Sequence, residues 1–387
     1  MQSKDERVLD SPSVQRTDSD DAYLARAIEL AERGTGLVSP NPVVGAVIAR
    51  DGTLLGEGWH EEYGGPHAEV NAIAAAGDAD LSGATLYVSL EPCCHHGRQP
   101  PCTDAILAAG IRRVVVAGDD PSSKAAGRGL GILRDEGIDV DVAVGELATR
   151  ARLQNQAFRK HARTGRPLVV FKAAMSLDGK VATQAGDSKW ISSEGSRETV
   201  HRWRGALDAV AVGIGTALAD DPQLTARTDG VHRQPLRIVF DSTARLPMDS
   251  NLVAEARRIP LVVVVSRAAP RGATDALETA GAHVIVATGQ NEPARVTSAL
   301  DQLGALDTPV TSMLLEGGPR LAGSFLDAGE LDEARLFVAP LLLGGRTARD
   351  PLEGEGVERI ADALRALTLE CEPSGADVLI SARLKEW

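Results

Sequence analysis

The chain has 387 residues, more than the roughly 100 to 200 residues of a typical domain, so two or three domains are expected. With 43% hydrophobic and 25% charged residues, it has the composition of a globular protein in water. Its net charge of −13 argues against a nucleic-acid partner, because phosphate backbones are bound by clustered lysine and arginine. No apolar run approaches the roughly 20 residues of a membrane-spanning helix.

The polar, acidic start, residues 1–20, has no hydrophobic signal segment and is interpreted as a disordered leader. A cytoplasmic protein is therefore predicted. Three of the four cysteines fall within residues 91–102, which is not the pattern of a disulfide framework. In a reducing compartment, such a cluster is more typical of a metal site or a catalytic site.

Helical and strand patterns alternate from residue 21 onward. A helix is predicted over residues 21–33, followed by a β-hairpin that turns at Asp51 and Gly52. The next predicted elements are helix 67–77, strand 84–90, helix 102–110, strand 112–118, helix 127–137 and strand 138–144. Strands separated by helices of this length favour a largely parallel sheet that is covered on both faces.

A helical stretch over residues 146–165 marks the boundary between two α/β domains. The predicted organisation is a first domain over 21–150, a helical linker over 151–165 and a second domain over 166–387. Strands of the second domain are predicted at 167–174, 208–213, 235–240, 259–266, 282–287, 311–318, 334–340 and 377–384. Its helices are predicted near 195–205, 272–281, 292–303 and 319–329.

The cysteine cluster has an upstream partner in His67 and Glu69. A His-x-Glu pair followed by Pro-Cys and a further cysteine is the signature of zinc deaminases, although the gap from Cys93 to Cys102 is longer than usual. His67 and Cys102 open predicted helices, whose N-terminal ends favour thiolate over thiol. Glu69 is placed to face a metal-bound water without ligating the metal, and to move protons.

Two other interpretations of the cluster remain open. A structural zinc site would have four protein ligands, which Cys94, His95 or His96 would complete, but such a site has no use for Glu69. The other interpretation is a disulfide between the adjacent residues Cys93 and Cys94.

Two glycine turns follow strands of the second domain. No Gly-x-Gly-x-x-Gly motif opens a helix after the first strand, so a standard dinucleotide-binding fold is not supported. Gly213 and Gly215 instead permit close backbone approach, with Thr216 as a donor, and Gly317 and Gly318 form a second turn before a helix. Each turn taken alone is more often an ordinary loop.

Several longer motifs, in one order, resemble a known family. The first half contains NPVVGAVI, HAEV, LEPCCHHGRQPPC and DDPSSKAAGRGLGILRDEGIDV. The second half contains KAAMSLDGKVA, GDSKWIS, VHRWRGALDAVAVGIGTALADDPQLTAR, QPLRIVFDS and LLEGGPRLAGSFLDAGELDEARLFVAPLLLGG. Together they cover about residues 21–385 and resemble the bifunctional riboflavin-biosynthesis (RibD) family, which joins a pyrimidine deaminase to a reductase.

The resemblance implies a two-domain α/β protein, with a cytidine-deaminase-like α/β/α sandwich followed by a dihydrofolate-reductase-like α/β domain. It implies zinc-dependent deamination of 2,5-diamino-6-(5-phosphoribosylamino)pyrimidin-4(3H)-one. NADPH-dependent reduction of the ribosyl chain of 5-amino-6-(5-phosphoribosylamino)uracil to ribityl would follow. The implied partners are this phosphorylated small-molecule substrate, neither nucleic acid nor membrane, and further copies of the chain in a dimer or tetramer.

The resemblance also implies roles for individual residues. Zinc would be bound by His67, Cys93 and Cys102, with Glu69 as the proton shuttle and Asn41 against the pyrimidine. NADPH would contact Ala174, Trp190, Thr216, Asp220, Ser242, Gly318, Pro319, Arg320, Leu321, Ala322, Gly323 and Ser324. The reductase substrate would contact Ser188, Arg204, Leu224, Arg227 and Glu316. Lys172 is a further candidate, which would polarise the sugar end during hydride delivery, although an exposed lysine in a salt bridge is the more common case. The two arginines suit a phosphate, because a guanidinium donates in a fixed fork.

Some positions depart from the family pattern, and rival functions exist. Gln99 stands where threonine is usual, and Ser122 and Ser123 stand where Asn-Pro is common. The rivals are a deaminase of nucleic-acid bases, a zinc-stabilised scaffold without turnover, and a chain in which only one half is active.

Overall fold

The computed structural model describes residues 16–387, which form two compact units. The first unit ends at Asn155 and the second runs from Gln156 to Trp387, so the division falls inside the predicted linker. Most of the predicted leader, residues 1–15, lies outside the described residues. The first helix begins at Asp18, earlier than predicted, because Thr17 and Asp20 form a capping box.

The first unit contains a five-stranded sheet with the strand order β2-β1-β3-β4-β5. Its strands are β1 Gly45–Arg50, β2 Thr53–Trp59, β3 Thr85–Val88, β4 Arg113–Val116 and β5 Asp139–Val142. Its helices are α1 Asp18–Ala31, α2 Ala68–Ala75, α3 Cys102–Ala108, α4 Arg128–Asp135 and α5 Glu146–Gln154. Only β3, β4 and β5 are parallel, and β1 is antiparallel to both of its neighbours. The antiparallel β1–β2 pair is the predicted hairpin, whereas the antiparallel β1–β3 pair shows that the prediction of a largely parallel sheet is wrong at this position.

Helices cover both faces of this sheet, which makes the unit an α/β/α sandwich. Alternating residues of β1 point to opposite faces: Ile48 packs in the cluster that includes α2, α3 and α4, whereas Val47 packs in the cluster that includes α1 and α5. Helix α2 lies close to β2, since a Cβ at Gly58 would lie 2.4 Å from the Ala72 backbone nitrogen. This close packing holds the start of α2, which carries His67 and Glu69, against the sheet.

The second unit contains a nine-stranded sheet with the order β10-β9-β8-β7-β11-β6-β12-β14-β13. Its strands are β6 Leu168–Ser176, β7 Ala209–Gly213, β8 Leu236–Phe240, β9 Leu261–Val265, β10 His283–Val286, β11 Ser312–Glu316, β12 Glu333–Ala339, β13 Thr368–Ser374 and β14 Asp377–Arg383. Its helices are α6 Gln156–Thr164, α7 Glu194–Ala206, α8 Ile214–Asp220, α9 Asn251–Ala254, α10 Arg271–Ala280, α11 Glu292–Gly304 and α12 Pro319–Asp327. Neighbouring strands are parallel from β10 to β12 and antiparallel from β12 to β13.

All eight strands and four helices predicted for the second domain are present, and the additions are β13, α8 and α9. Helix α6 falls within the helical stretch predicted over residues 146–165. Strand β13 was missed because it is a sheet edge with mostly exposed residues, and therefore lacks an alternating apolar pattern. Among residues 16–387, no helix is long and apolar enough to cross a membrane.

Candidate active sites

Three side chains of the first unit converge on one point. His67 is the residue immediately before α2, Cys93 lies in the loop after β3, and Cys102 is the first residue of α3. The Nδ1 atom of His67 lies 3.3 Å from the Cys102 Sγ and 3.5 Å from the Cys93 Sγ. All three ligand atoms lie within 4.8 Å of one another, as atoms that share a tetrahedral ion do.

The surroundings of Cys93 stabilise a thiolate. Hydrogen bonds from the Cys102 and His67 side chains lower the pKa of Cys93 to about 4, and the Cys102 backbone N–H also donates to its sulfur at 3.3 Å. Cys102 responds in the opposite sense, because the neighbouring Cys93 sulfur and burial raise its pKa. A cation between the two sulfurs would allow both to ionise.

Glu69 lies beside the three ligands and is only 3% exposed. Burial, followed by the negative charge at Cys93, raises the pKa of Glu69 to about 7. A carboxyl group with a pKa near neutrality can both take up and release a proton, which a general acid–base catalyst must do. The predicted proton shuttle therefore lies in a setting that suits this chemistry.

The donor set fits a catalytic zinc ion better than a structural one. One imidazole nitrogen and two sulfurs make three protein ligands, which leaves the fourth tetrahedral position open. Cys94 does not join them: its sulfur contacts the Lys124 carbonyl oxygen at 3.8 Å. His95 and His96 are also outside the group, which is the only potential metal-binding cluster within residues 16–387. Cys93 and Cys94 are free thiols, so no disulfide joins them.

Asn41 is held by a histidine that the sequence analysis missed. The Nδ2 atom of Asn41 lies 3.1 Å from His60 Nε2, and His60 Nδ1 lies 3.0 Å from the Pro66 carbonyl oxygen. A carbonyl only accepts, so the His60 proton is on Nδ1 and Nε2 accepts from Asn41. The His60 ring also packs edge-on against His67 at 5.1 Å, which connects the ligand and Asn41. No local pattern marks His60, because Asn41 is 19 positions away.

Glu91 is a second residue that the sequence analysis missed. Its buried carboxylate accepts hydrogen bonds from the backbone N–H groups of Asp120, Gly127 and Gly129, at 3.4, 3.0 and 3.1 Å. A side chain at 129 is excluded, since a Cβ there would lie 2.2 Å from the Pro92 carbonyl oxygen. The segment that contains Ser122 and Ser123 is thereby tied to the loop that carries Cys93.

The second unit contains a cavity of 1510 Å³ beside the carboxyl ends of β7, β8, β9 and β11. This volume exceeds the roughly 300 to 1,000 Å³ of a typical site for one small molecule, so it suits a cofactor together with a substrate. The predicted NADPH contacts that line the cavity are Ala174, Trp190, Thr216, Asp220, Ser242, Gly318, Pro319, Arg320, Leu321 and Ser324. The predicted substrate contacts that line it are Lys172, Ser188, Arg204, Leu224, Arg227 and Glu316.

Two predicted NADPH contacts are not among the lining residues. Ala322 is completely buried in the core on the α12 side of the sheet. Gly323 faces the chain at Glu353, where a Cβ would lie 1.3 Å from the carbonyl oxygen. Successive residues of a helix point in different directions, so only some residues of α12 can face the cavity, and Ala322 and Gly323 are packed against other parts of the chain.

The two glycine turns meet at one side of the cavity. Gly317 and Gly318 have φ values of 67° and 82°, a conformation that favours glycine, and α12 begins directly after them. A Cβ at Gly317 would lie 3.3 Å from the hydroxyl oxygen of Thr216. Backbone without side chains, at the start of a helix, suits a pyrophosphate-bearing cofactor such as NADPH.

Glu316 and Arg204 form a buried ion pair in the cavity wall, with Nε–Oε1 and Nη2–Oε2 distances of 2.6 and 2.9 Å. Burial raises the pKa of Glu316, but the charge and hydrogen bonds of Arg204, together with the charges of Lys172 and His201, outweigh burial, so the pKa is lowered. Lys172 is also buried, which lowers its pKa, and it has no ion pair of its own within the described part of the chain.

Comparisons with known proteins identify the family. The family model "RibD C-terminal domain" matches residues 167–380, and "Cytidine and deoxycytidylate deaminase zinc-binding region" matches residues 17–118. The riboflavin biosynthesis protein RibD of Actinobacillus pleuropneumoniae is 40% identical over 94% of this chain and 95% of its own length. The Escherichia coli RibD is 39% identical over 93% of this chain and 98% of its own length. The chain belongs to the RibD family.

Solved structures agree with this assignment to the RibD family. Acinetobacter baumannii RibD matches with a TM-score of 0.83 and 36% identity, covering 95% of this chain and 99% of its own. A diaminohydroxyphosphoribosylaminopyrimidine deaminase/5-amino-6-(5-phosphoribosylamino)uracil reductase of Thermotoga maritima matches with a TM-score of 0.81 and 34% identity, at the same coverage. The chain is accordingly a bifunctional enzyme of riboflavin biosynthesis, a zinc-dependent deaminase and an NADPH-dependent reductase, with the two-domain α/β fold that the sequence implied.

Proposed function

We propose that the first unit deaminates 2,5-diamino-6-(5-phosphoribosylamino)pyrimidin-4(3H)-one and that the second reduces the resulting 5-amino-6-(5-phosphoribosylamino)uracil. One observation carries the assignment of the first step: His67, Cys93 and Cys102 converge beside the buried carboxyl of Glu69. The Thermotoga relative, whose described activities are these two, supports the choice of substrate.

In the deaminase site, His67, Cys93 and Cys102 would hold zinc, which when bound activates water for attack on the carbon that carries the amine. Glu69 takes a proton from the attacking water and delivers it to the departing amine. Its pKa of about 7 serves both directions of transfer. Asn41, oriented by His60, donates to or accepts from the edge of the pyrimidine.

In the reductase site, NADPH supplies a hydride to C1′ of the ribosyl group. Opening of the ribosyl ring at the C1′–O4′ bond would leave a ring oxygen that needs a proton. Lys172 is the proposed donor, because burial lowers its pKa and no carboxylate forms an ion pair with it among residues 16–387. Ser188, Leu224 and the Arg204–Glu316 pair shape the substrate side of the cavity.

Arg227 is the proposed phosphate ligand of the reductase. Its guanidinium donates to Gln223 Oε1 at 3.1 Å and to Thr225 Oγ1 at 2.9 Å, both neutral groups. Arg204, in contrast, is already neutralised by Glu316. The substrate phosphate would therefore meet an uncompensated positive charge at Arg227, which favours binding of an anion.

The chain is also proposed to self-associate in the cytoplasm. Free thiols throughout the described residues suit a reducing compartment.

Strand β13 is a sheet edge that exposes Leu369, and Val378 is exposed on the same face. A second copy is the proposed occupant of this edge. Sedimentation velocity would test this: Leu369→Glu is expected to give monomers, and Glu372→Lys, on the opposite face, is expected not to.

The assignment of the two activities is tested by Glu69→Gln, with the exposed residue Glu61→Gln as the matched control. Loss of the shuttle is expected to lower ammonia release by about 100- to 10,000-fold, while zinc content and NADPH oxidation stay unchanged. Normal ammonia release by Glu69→Gln would exclude the proposed proton shuttle. Loss of both activities would show that the change had damaged the whole chain.

A further inference from the structure

His201 is a cavity-lining residue to which neither the sequence motifs nor the proposed chemistry gives a role. It lies on α7, three positions before Arg204, and therefore on the same face of the helix. Its Nδ1 atom lies 3.1 Å from the Thr225 carbonyl oxygen, to which Arg204 Nη1 also donates at 3.1 Å. The helix thus meets the loop that carries Arg227 through two side chains.

Two of the three contacts of the His201 ring favour a proton on Nδ1. Its Nε2 atom lies 3.4 Å from Nη2 of Arg227, and a guanidinium is only a donor. The Nε2 atom therefore offers its lone pair, and the proton on Nδ1 faces the Thr225 carbonyl oxygen. These two contacts favour this tautomer, and the Arg227 backbone N–H, which lies 3.3 Å from Nδ1, opposes it. A neutral ring in this tautomer bridges the backbone of the loop and the side chain of Arg227.

The loop backbone, which His201 contacts at the Thr225 carbonyl and the Arg227 N–H, is also held by a residue other than His201. The side-chain amide of Gln234 accepts from the Ala226 N–H at 2.9 Å and donates to the Ala226 carbonyl at 3.0 Å. These two bonds hold the backbone directly before Arg227. The guanidinium is then oriented by three neutral acceptors, those of Gln223, Thr225 and His201.

We propose that His201 is a positioning residue, which holds the Arg227 guanidinium in the orientation that receives the substrate phosphate. This inference rests on the proposed function of Arg227. A long side chain loses rotamer freedom when it binds a ligand, and a side chain that is already oriented loses less, so the affinity is higher.

The charges around His201 favour the neutral ring that this role needs. Burial and the positive charges of Arg204 and Arg227 lower its pKa, and they outweigh the hydrogen bond to Thr225 and the charge of Glu316, which raise it. A protonated ring would have no lone pair on Nε2 and would repel the guanidinium.

The proposal is tested with two neutral variants that each preserve one end of the ring. In His201→Gln, the side-chain carbonyl oxygen lies near the position of Nε2. In His201→Asn, the shorter side-chain amide reaches only the position of Nδ1. For 5-amino-6-(5-phosphoribosylamino)uracil, His201→Asn is expected to raise the reductase KM about tenfold with kcat within about twofold. His201→Gln is expected to stay within about threefold of the parent in both constants. With the same substrate after removal of its phosphate, all three proteins are expected to have the same KM.

Arg227→Met separates this inference from the function on which it rests. An unchanged KM in Arg227→Met would remove Arg227 as the phosphate ligand, and the role of His201 with it. If Arg227→Met raises KM but His201→Asn does not, the function stands and the positioning role is overturned. The positioning role is also overturned if His201→Asn behaves as the parent while His201→Gln fails, since the contact with Thr225 would then be the important one. Unchanged NADPH binding in both His201 variants checks that the cavity is intact.

Discussion

The two active sites each contain a buried glutamate, and the two residues behave in opposite ways. Among residues 16–387, no cationic side chain is bonded to Glu69, and burial raises its pKa to about 7. Glu316 is also buried, but the bidentate contact with Arg204 lowers its pKa. Burial therefore does not decide the charge of a carboxyl group, whereas its partner does. The setting of Glu69 suits a carboxyl group that exchanges a proton, and the setting of Glu316 suits one that stays ionised.

Removing one of the proposed zinc ligands is expected to have the largest effect, because deamination would depend on the bound zinc ion. Cys102→Ser is expected to lose stoichiometric zinc and at least about 100-fold of the deaminase activity. The matched control is Cys94→Ser, whose sulfur contacts only the Lys124 carbonyl oxygen. Zinc content by elemental analysis and ammonia release measure both variants. Zinc retained at one ion per chain in Cys102→Ser would contradict the assigned ligand set.

Breaking the Glu316–Arg204 pair tests the other half of the comparison. Glu316→Gln leaves a buried, uncompensated guanidinium, so the free energy of unfolding of the second unit is expected to fall by about 3 to 5 kcal/mol. The double variant Glu316→Gln/Arg204→Met removes both charges and is expected to recover part of this loss. Urea denaturation followed by tryptophan fluorescence gives these values. Equal stabilities of the parent and Glu316→Gln would show that the pair is not buried in solution.

The raised pKa of Glu69 predicts a pH-dependent cost in the metal-free protein. The pKa of Glu69 is 4.5 in the unfolded chain and about 7 in the folded chain. Ionisation of this carboxyl group therefore does not lower the free energy of unfolding below pH 4.5. Between pH 4.5 and pH 7 it lowers that free energy progressively, by up to about 3 kcal/mol. Glu69→Gln cannot ionise, so it is expected to be more stable than the parent at pH 8 and equal to it at pH 4.5. Thermal unfolding after zinc chelation, at both pH values, measures the difference. A gain of the same size at both values would mean that ionisation is not its cause.

The smallest effect concerns a loop beside the deaminase site. Gln99, which departs from the family pattern, donates through Nε2 to the Gly64 carbonyl at 2.7 Å. Gln99→Thr removes this bond but restores the usual residue, so the KM for deamination is expected to change by no more than about threefold. Steady-state ammonia release checks this, with the reductase KM as the internal control. A change above tenfold would make Gln99 a specificity residue instead of a loop contact.

Contacts between residues distant in the chain were beyond the sequence analysis. His60 was missed because its partner Asn41 belongs to another segment, and Glu91 because its three donors lie 29 to 38 positions away. The parallel sheet of the first unit was predicted from the helix–strand alternation, which does not reveal the antiparallel pairing of β1 with β3.

The order of the chain alone predicted the chemistry of the first site, because His-x-Glu followed by Pro-Cys and a further cysteine is the signature of zinc deaminases, and it placed His67 and Cys102 at helix starts. Helix and strand periodicity likewise determined most elements of both sheets. Tertiary structure decided which charges remain available. Arg204 and Arg227 look alike as residues, yet only the folded chain pairs Arg204 with Glu316 and surrounds Arg227 with neutral groups. The strength of an electrostatic interaction depends on distance and burial, and residues far apart in the chain acquire both only when it folds.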